Sequence, residues 1–265
     1  REPYHVWLSE IMLQQTRVEA VRGYYARFLQ RLPTVEALAG ADEDVLLKLW
    51  EGLGYYSRVR NLQRAAQELT RRGGFPQTAE ELERLPGIGA YTAGAIASIC
   101  FEQKAPAVDG NVLRVLTRFL ASDACIDQPR VRRDFAGRLR GVYPAGHCGD
   151  FTQALMELGA TVCVPNGAPQ CARCPLQDAC AAHRSGRELQ FPVRAEKRAK
   201  RVEQRTVLLM RCGDRIAVCK RPERGLLAGL WQFPDVEGEQ SAQQALALAA
   251  QWGVHPTGIE RAVSR

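Results

Sequence analysis

From Val6 to about Val162 the apolar residues recur at the three-and-four spacing of helix faces. The clearest segments are VWLSEIMLQQT (6–16), DVLLKLWEGL (44–53), NLQRAAQELTRR (61–72), AYTAGAIASICF (90–101) and NVLRVLTRFLA (111–121). Thr78 and Asp109 stand where N-caps belong, and Gly73-Gly74 and Pro144 stand where helices stop. This part therefore predicts about eight to ten helices and an all-α domain. Further on, RAEKRAKRVEQR (194–205) is charged, lacks large apolar groups and reads as a linker. Beyond it TVLLMRC (206–212) and RIAVCKR (215–221) run like two strands joined at Gly213-Asp214, with an Ala-rich helix over 242–250. The expected fold class is mainly α, followed by a partial α/β domain.

Composition adds bounds to that pattern. The 265 residues are 46% hydrophobic, enough for real cores, and no run approaches the length of uncharged apolar residues that a membrane span needs. The formal charge is +7, and only five of the 36 basic residues are Lys. Arginine's planar fork binds phosphate oxygens bidentately, so the bias suits a nucleic-acid binder. Genomic base composition explains it equally well on these totals alone.

Nine cysteines are present, and Cys100, Cys125, Cys148, Cys212 and Cys219 are scattered in the manner of reduced intracellular thiols. The other four, Cys163, Cys171, Cys174 and Cys180, fall within CVPNGAPQCARCPLQDAC, with seven, two and five residues between them. Its prolines and Gly167 keep the segment looped, free to wrap something. Disulfides are disfavoured because the rest of the chain is no small secreted scaffold. Zinc and an iron-sulfur cubane both accept four thiolates, and on spacing both stay open, with the compact loop leaning to the cubane.

LERLPGIGAYTAGAI (82–96) reads as a helix, a tight turn and a second helix, a helix-hairpin-helix. Leu85, Gly87 and Gly89 form the turn, and amides at the head of the second helix can hold a DNA phosphate without reading sequence. Asp109, in AVDGNVLRVL, precedes a helix, whose free amides and dipole favour its carboxylate. Glu10 has Trp7, Ile11 and Leu13 nearby, an apolar setting that can raise a carboxyl pKa toward that of a general acid. Singly, an ordinary N-cap explains Asp109 and a solvated helix face explains Glu10.

Taken in order, SEIMLQQT, GLGYYSRVRNL, LPGIGAYTAGAI, VDGNVLRVL and the four-cysteine loop resemble the MutY adenine DNA glycosylases of the helix-hairpin-helix superfamily, over residues 1 to about 183. The resemblance implies a 4Fe-4S cluster held by Cys163, Cys171, Cys174 and Cys180. It implies a monomer that acts on double-stranded DNA and removes adenine mispaired with 8-oxoguanine or guanine, in the cytoplasm and nucleoid of a bacterium. Glu10 would protonate the flipped adenine and Asp109 would stabilise the sugar cation, with Tyr91 and Asn111 in support. Gln15, Leu53 and Tyr55 match the family's wedge positions. Relatives resembling endonuclease III carry Lys where Tyr91 stands and cut the strand through a Schiff base, so this chain is expected to be monofunctional.

Two departures accompany the resemblance. The family's usual spacing has six residues between the first two cysteines, where this chain has seven, VPNGAPQ. The chain is also expected to lack the first helix of the catalytic region and the end of its second domain. The expected division is a glycosylase domain over 1–183, a basic linker over 184–202 and a truncated Nudix-like domain over 203–265. The stretch SAQQALALAAQWG lacks the Glu ladder that a Nudix hydrolase uses for Mg2+, which weighs against pyrophosphate hydrolysis. The alternatives to the adenine glycosylase are a noncatalytic DNA-binding iron-sulfur module and an endonuclease III-like glycosylase/lyase.

Overall fold

A computed structural model of the chain describes residues 1–196, 202–222, 225 and 227–259. The chain divides into two compact units, Arg1–Glu196 and Lys197–Arg265.

The first unit is helical. Its elements are α1 (Pro3–Leu13), α2 (Val18–Arg31), α3 (Val35–Ala39), α4 (Glu43–Trp50), α5 (Ser57–Arg72), α6 (Ala79–Leu82), α7 (Ala90–Phe101), α8 (Gly110–Phe119), α9 (Pro129–Arg140), α10 (Cys148–Glu157) and α11 (Ala181–Arg184). A π-helical turn, Leu158–Val162, prolongs α10. The termini follow from local chemistry. Glu2 accepts from the amides of Tyr4 and His5 ahead of Pro3, and Thr34, Asp42, Thr78 and Asp109 each cap the helix that follows them. Gly73, with φ of 82°, ends α5 in the left-handed conformation that glycine adopts without a Cβ clash. The cap expected at Thr78, the cap expected at Asp109 and the stop expected at Gly73 are all observed.

Two hydrophobic clusters form the core. The first gathers Trp7, Phe28, Trp50, Leu62 and Leu82 from α1 to α6, and the second gathers Val112, Leu113, Phe135 and Tyr143 from α8, α9 and the chain before α10. Truncating either of the fully buried Trp7 and Trp50 to Ala is expected to cost about 3–5 kcal/mol. Helix α7 lies between them, with every residue from Thr92 to Ile99 buried, and packs against both α1 and α10. It approaches the next segment so closely that a Cβ on Gly94 would stand 2.5 Å from the Pro106 carbonyl oxygen. A third, small cluster of Ala95, Ile99 and Ala107, with Tyr91 and Met156 against it, lies at this seam.

The expected limit of the helical domain at 183 is too short. Residues 184–196 belong to the first unit: Phe191 is buried, the Arg118 guanidinium donates to its carbonyl, and Ile126 N donates to Val193 O at 3.0 Å. The apolar group Phe191-Pro192-Val193 anchors a segment whose flanking charges suggested a linker. Of the basic run itself, 197–201 lies outside the described residues.

Among its described residues the second unit holds three short antiparallel ladders. They pair β1 (Arg205–Val207) with β6 (Asp235–Glu237), β2 (Arg211–Cys212) with β3 (Arg215–Ile216), and β4 (Cys219–Lys220) with β5 (Trp231–Gln232). The turn between β2 and β3 is the expected Gly213-Asp214. Each of the two expected strands is broken in two, because both are continuous apolar runs whose length alone cannot mark an interruption. Helix α12 (Ala242–Gln251) begins with a capping box between Ser241 and Gln244.

Candidate active site

Glu10 lies in the last turn of α1, Tyr91 in the first turn of α7, and Asp109 caps α8, so the seam between the two large clusters brings together residues 99 positions apart. The Tyr91 hydroxyl donates to Glu10 Oε2 at 2.5 Å and also lies 3.8 Å from Met156 Sδ. Burial raises the Glu10 pKa above its ordinary value, and the charge of Asp109 raises it further, while the bond from Tyr91 opposes both. Burial, with Glu10 close by, likewise drives the Tyr91 phenol pKa upward, so the tyrosine acts as a donor. Asp109 is arranged differently. Its Oδ1 accepts from the Val112 amide at 2.7 Å and its Oδ2 from Asn111 Nδ2 at 2.8 Å, a donor on each oxygen.

Asn111 is itself held. Arg114, 5% exposed, donates through Nη2 to Asn111 Oδ1 at 2.8 Å and to the Gly159 carbonyl at 2.6 Å, and through Nε to the Cys163 carbonyl at 2.7 Å. One guanidinium thus connects the partner of Asp109, the π-helical turn and the first cysteine of the loop. The turn needs Gly159, because a Cβ there would meet Asn111 Cβ at 2.6 Å. Sequence reading missed Arg114 and Arg118. The available signal is that Asn111, Arg114 and Arg118 recur at the spacing of a single helix face that is otherwise apolar.

The loop that follows brings its four cysteines together. All four are free, and with Arg118, His183 and Glu188 they line one cavity. Arg118, 4% exposed, donates to Cys163 Sγ at 3.3 Å and to Val164 O at 3.0 Å, and reaches the carbonyls of Glu188 and Phe191 on the far side of the loop. Burial, Glu188 and the three neighbouring thiols push the Cys171 thiol above its ordinary pKa. Four thiols gathered around one cavity are the donor set that an iron-sulfur core takes as thiolates. The donor set therefore fits a four-thiolate cluster. The seven-residue spacer closes on itself, with Gln170 N donating to Val162 O at 3.0 Å. Cys171, His183 and Glu188 also bring one ligand atom each to within 4.8 Å of one another, a mixed set that suits a single zinc ion.

In the hairpin, Leu85 is buried and shapes the turn from inside. Gly87 takes φ of 75° where a Cβ would stand 2.6 Å from Asn61 Cβ, which explains the residue there. Gly89 is exposed, and no side chain caps α7, so the first amides of a twelve-residue helix are available to an anion. Gln15 and Tyr55 are exposed on two loops, both with positive φ, 60° and 47°. Leu53, expected to project with them, is only 6% exposed and packs in the first cluster, so it supports its loop from below.

Residues 8–140 match the model of the HhH-GPD superfamily of base excision DNA repair proteins. The adenine DNA glycosylase of Rattus norvegicus is 40% identical over 289 residues, spanning 92% of this chain and 56% of that protein; that of Homo sapiens is 38% identical, spanning 92% and 53%. The adenine DNA glycosylase of Buchnera aphidicola subsp. Baizongia pistaciae is 35% identical, spanning 88% of this chain and 67% of its own length. The chain belongs to the HhH-GPD superfamily and, within it, to the adenine DNA glycosylase family. It spans about half the length of the mammalian members it matches. Among solved structures, a thermostable thymine-DNA glycosylase aligns with a TM-score of 0.63 at 26% identity, covering 70% of this chain and 86% of that one. A non-covalent endonuclease III–DNA complex aligns at 0.60 and 24% identity over the same shares, a likeness of fold.

Proposed function

We propose that this adenine glycosylase family member cleaves the N-glycosidic bond of adenine mispaired with 8-oxoguanine or guanine in double-stranded DNA. The observation that carries the reading is the asymmetry of the two carboxyl groups. Burial favours the neutral form of Glu10, while two donors address the oxygens of Asp109. A neutral carboxyl and a carboxylate are what departure of a purine from a sugar requires.

The adenine leaves the base stack and enters the seam, at a cost of a few kcal/mol that contacts from Gln15 and Tyr55 offset. Glu10 gives its proton to N7, and the electron pair of the breaking C1′–N9 bond goes to the base. Asp109, steadied by Asn111 and the Val112 amide, faces the electron-poor sugar and stabilises it until water adds. Tyr91 holds Glu10 in place. With a phenol at that position and no amine, the chain forms no Schiff base and leaves an intact abasic strand. The amides at the head of α7, after Gly89, grip a DNA phosphate beside the site.

Cys163, Cys171, Cys174 and Cys180 would hold a 4Fe-4S cluster, whose bonds would tie the loop into one rigid body. Zinc on Cys171, His183 and Glu188 is the second reading, supported by the proximity of those three donors. The second unit would be a Nudix-like domain without hydrolase activity, which helps recognise the base opposite adenine.

The test is strand scission, read with and without hot alkali, on duplexes with adenine opposite 8-oxoguanine, guanine or thymine. Breaks that require alkali and arise only from the two mispairs are expected. Breaks without alkali, or a borohydride-trapped adduct in good yield on an abasic duplex, would instead point to a lyase. Tight binding with no breaks at all would favour the noncatalytic module.

A further inference from the structure

Arg58 makes a set of contacts that none of the chemistry above uses. Its Nη1 donates to the carbonyls of Ile11 and Gln14, both at 2.8 Å, and its Nη2 to those of Leu53 at 2.9 Å and Gly54 at 3.1 Å. The guanidinium carbon also lies 5.2 Å from the centre of the Trp50 ring and 5.8 Å from that of Tyr55. One cation therefore ties together the chain after α1 and the chain after α4, which are some 40 residues apart in sequence. Each segment carries an exposed non-glycine residue in the left-handed region, Gln15 on one and Tyr55 on the other. Such conformations carry backbone strain and persist only where the surroundings over-determine them. Arg58 supplies that determination on both sides. It also lines, with Gln14, Asn61 and Gly87, a cavity of about 100 Å3, which brings the hairpin turn to the same joint.

We infer that Arg58 is a positioning residue that locks the Gln15 and Tyr55 loops into one rigid wedge, preset for prising a base pair apart. The inference rests on the glycosylase reading and deepens it: the wedge is built before DNA arrives, so the ordering cost of two loops is not charged to base extrusion. Only a planar fork reaches both loops at once. Lysine in its place keeps the charge but serves one loop at a time.

The test places 2-aminopurine opposite 8-oxoguanine in a duplex and reads its emission on saturating binding, in a Glu10→Gln protein that holds the base without releasing it. Adding Arg58→Lys is expected to lower the extruded population roughly tenfold or more, with the bound fraction close to that of the parent when both are measured well below their melting transitions. With Glu10 intact, Arg58→Lys slows single-turnover adenine release by a similar factor and leaves the pH dependence in place. On a Tyr55→Ala background Arg58→Lys adds little, because the wedge is already gone. A second pair of variants acts on the loop without touching the cation. Gly54 has φ of 69° and open space around its Cβ position, so Gly54→Val strains the backbone, whereas Gly54→Asn tolerates it. Valine is expected to lose extrusion and asparagine to keep it. Full emission with Arg58→Lys or Gly54→Val, a shifted pH profile, or additive effects with Tyr55→Ala overturns the inference. If the parent itself neither extrudes the probe nor, with Glu10 restored, releases adenine, the glycosylase reading falls and this inference falls with it. Release by the parent matched by Arg58→Lys sinks the inference alone.

Discussion

Replacing Arg114 by leucine tests the connection between Asp109 and the cysteine loop. The change deletes three short hydrogen bonds, to Asn111 Oδ1, Gly159 O and Cys163 O, at a position only 5% exposed. Each acceptor left without a partner costs about 1–3 kcal/mol, and the apolar surface that leucine buries returns part of the sum. The expected net loss is about 3 kcal/mol, within the range seen when one member of a buried polar group is removed. For a unit of this size that is a fall of roughly 6–12 °C in melting temperature. The rate should suffer independently, because Asn111 loses the group that fixes its amide and Asp109 then loses an oriented donor. Single-turnover adenine release, measured well below the melting transition, is expected to fall about ten- to a hundredfold. Arg114→Lys, which keeps the charge but not the fork, should fall between the two. A melting temperature within about a degree of the parent, or an unchanged rate in the folded variant, would refute the idea that Arg114 bears on the site.

Other expectations follow from the same geometry. Tyr91→Phe removes a donor that favours the Glu10 carboxylate, so Glu10 stays protonated to higher pH. Because the protonated form does the work, the loss of rate on the alkaline side should move upward in pH; a limb that stays put or moves down contradicts the assignment. Glu10→Gln should lower base release about 10²–10⁴-fold while leaving affinity for the mispaired duplex intact, as measured by anisotropy. It should not lower the melting temperature at neutral pH, since it removes a carboxyl group whose ionisation burial disfavours. The purified protein is expected to show the visible charge-transfer absorption of a 4Fe-4S cluster, and Cys174→Ser is expected to abolish it and destabilise the first unit. A colourless protein whose metal is zinc, lost on His183→Ala, would replace the cluster by the mononuclear site.

The helices, most of their caps and the seam partners Glu10, Tyr91, Asp109 and Asn111 were legible because each rests on local chemistry or an ordered motif. Thr78 and Asp109 act as caps through an oxygen three residues before the amide they serve. Arg114, Arg118 and Arg58 were not legible, because an arginine that saturates carbonyls from distant segments looks like any solvated arginine until those segments are placed. Arg58 illustrates this well: its acceptors come from residues 11, 14, 53 and 54. Leu53 is buried where a projecting side chain was expected, because a loop alternates projecting and anchoring residues and sequence alone does not say which is which. The end of the helical domain was set at 183 because the motifs that carry the resemblance stop there, and a single buried phenylalanine beyond them, Phe191, gives no local signal.

The most direct measurement is chromatographic detection of the free base released by this chain, in excess, from a duplex with adenine opposite 8-oxoguanine. Free adenine is expected from the mispair, none from adenine opposite thymine, and about a hundredth as much or less with Glu10→Gln over the same interval. Adenine released equally from both duplexes, or undiminished by Glu10→Gln, would contradict it.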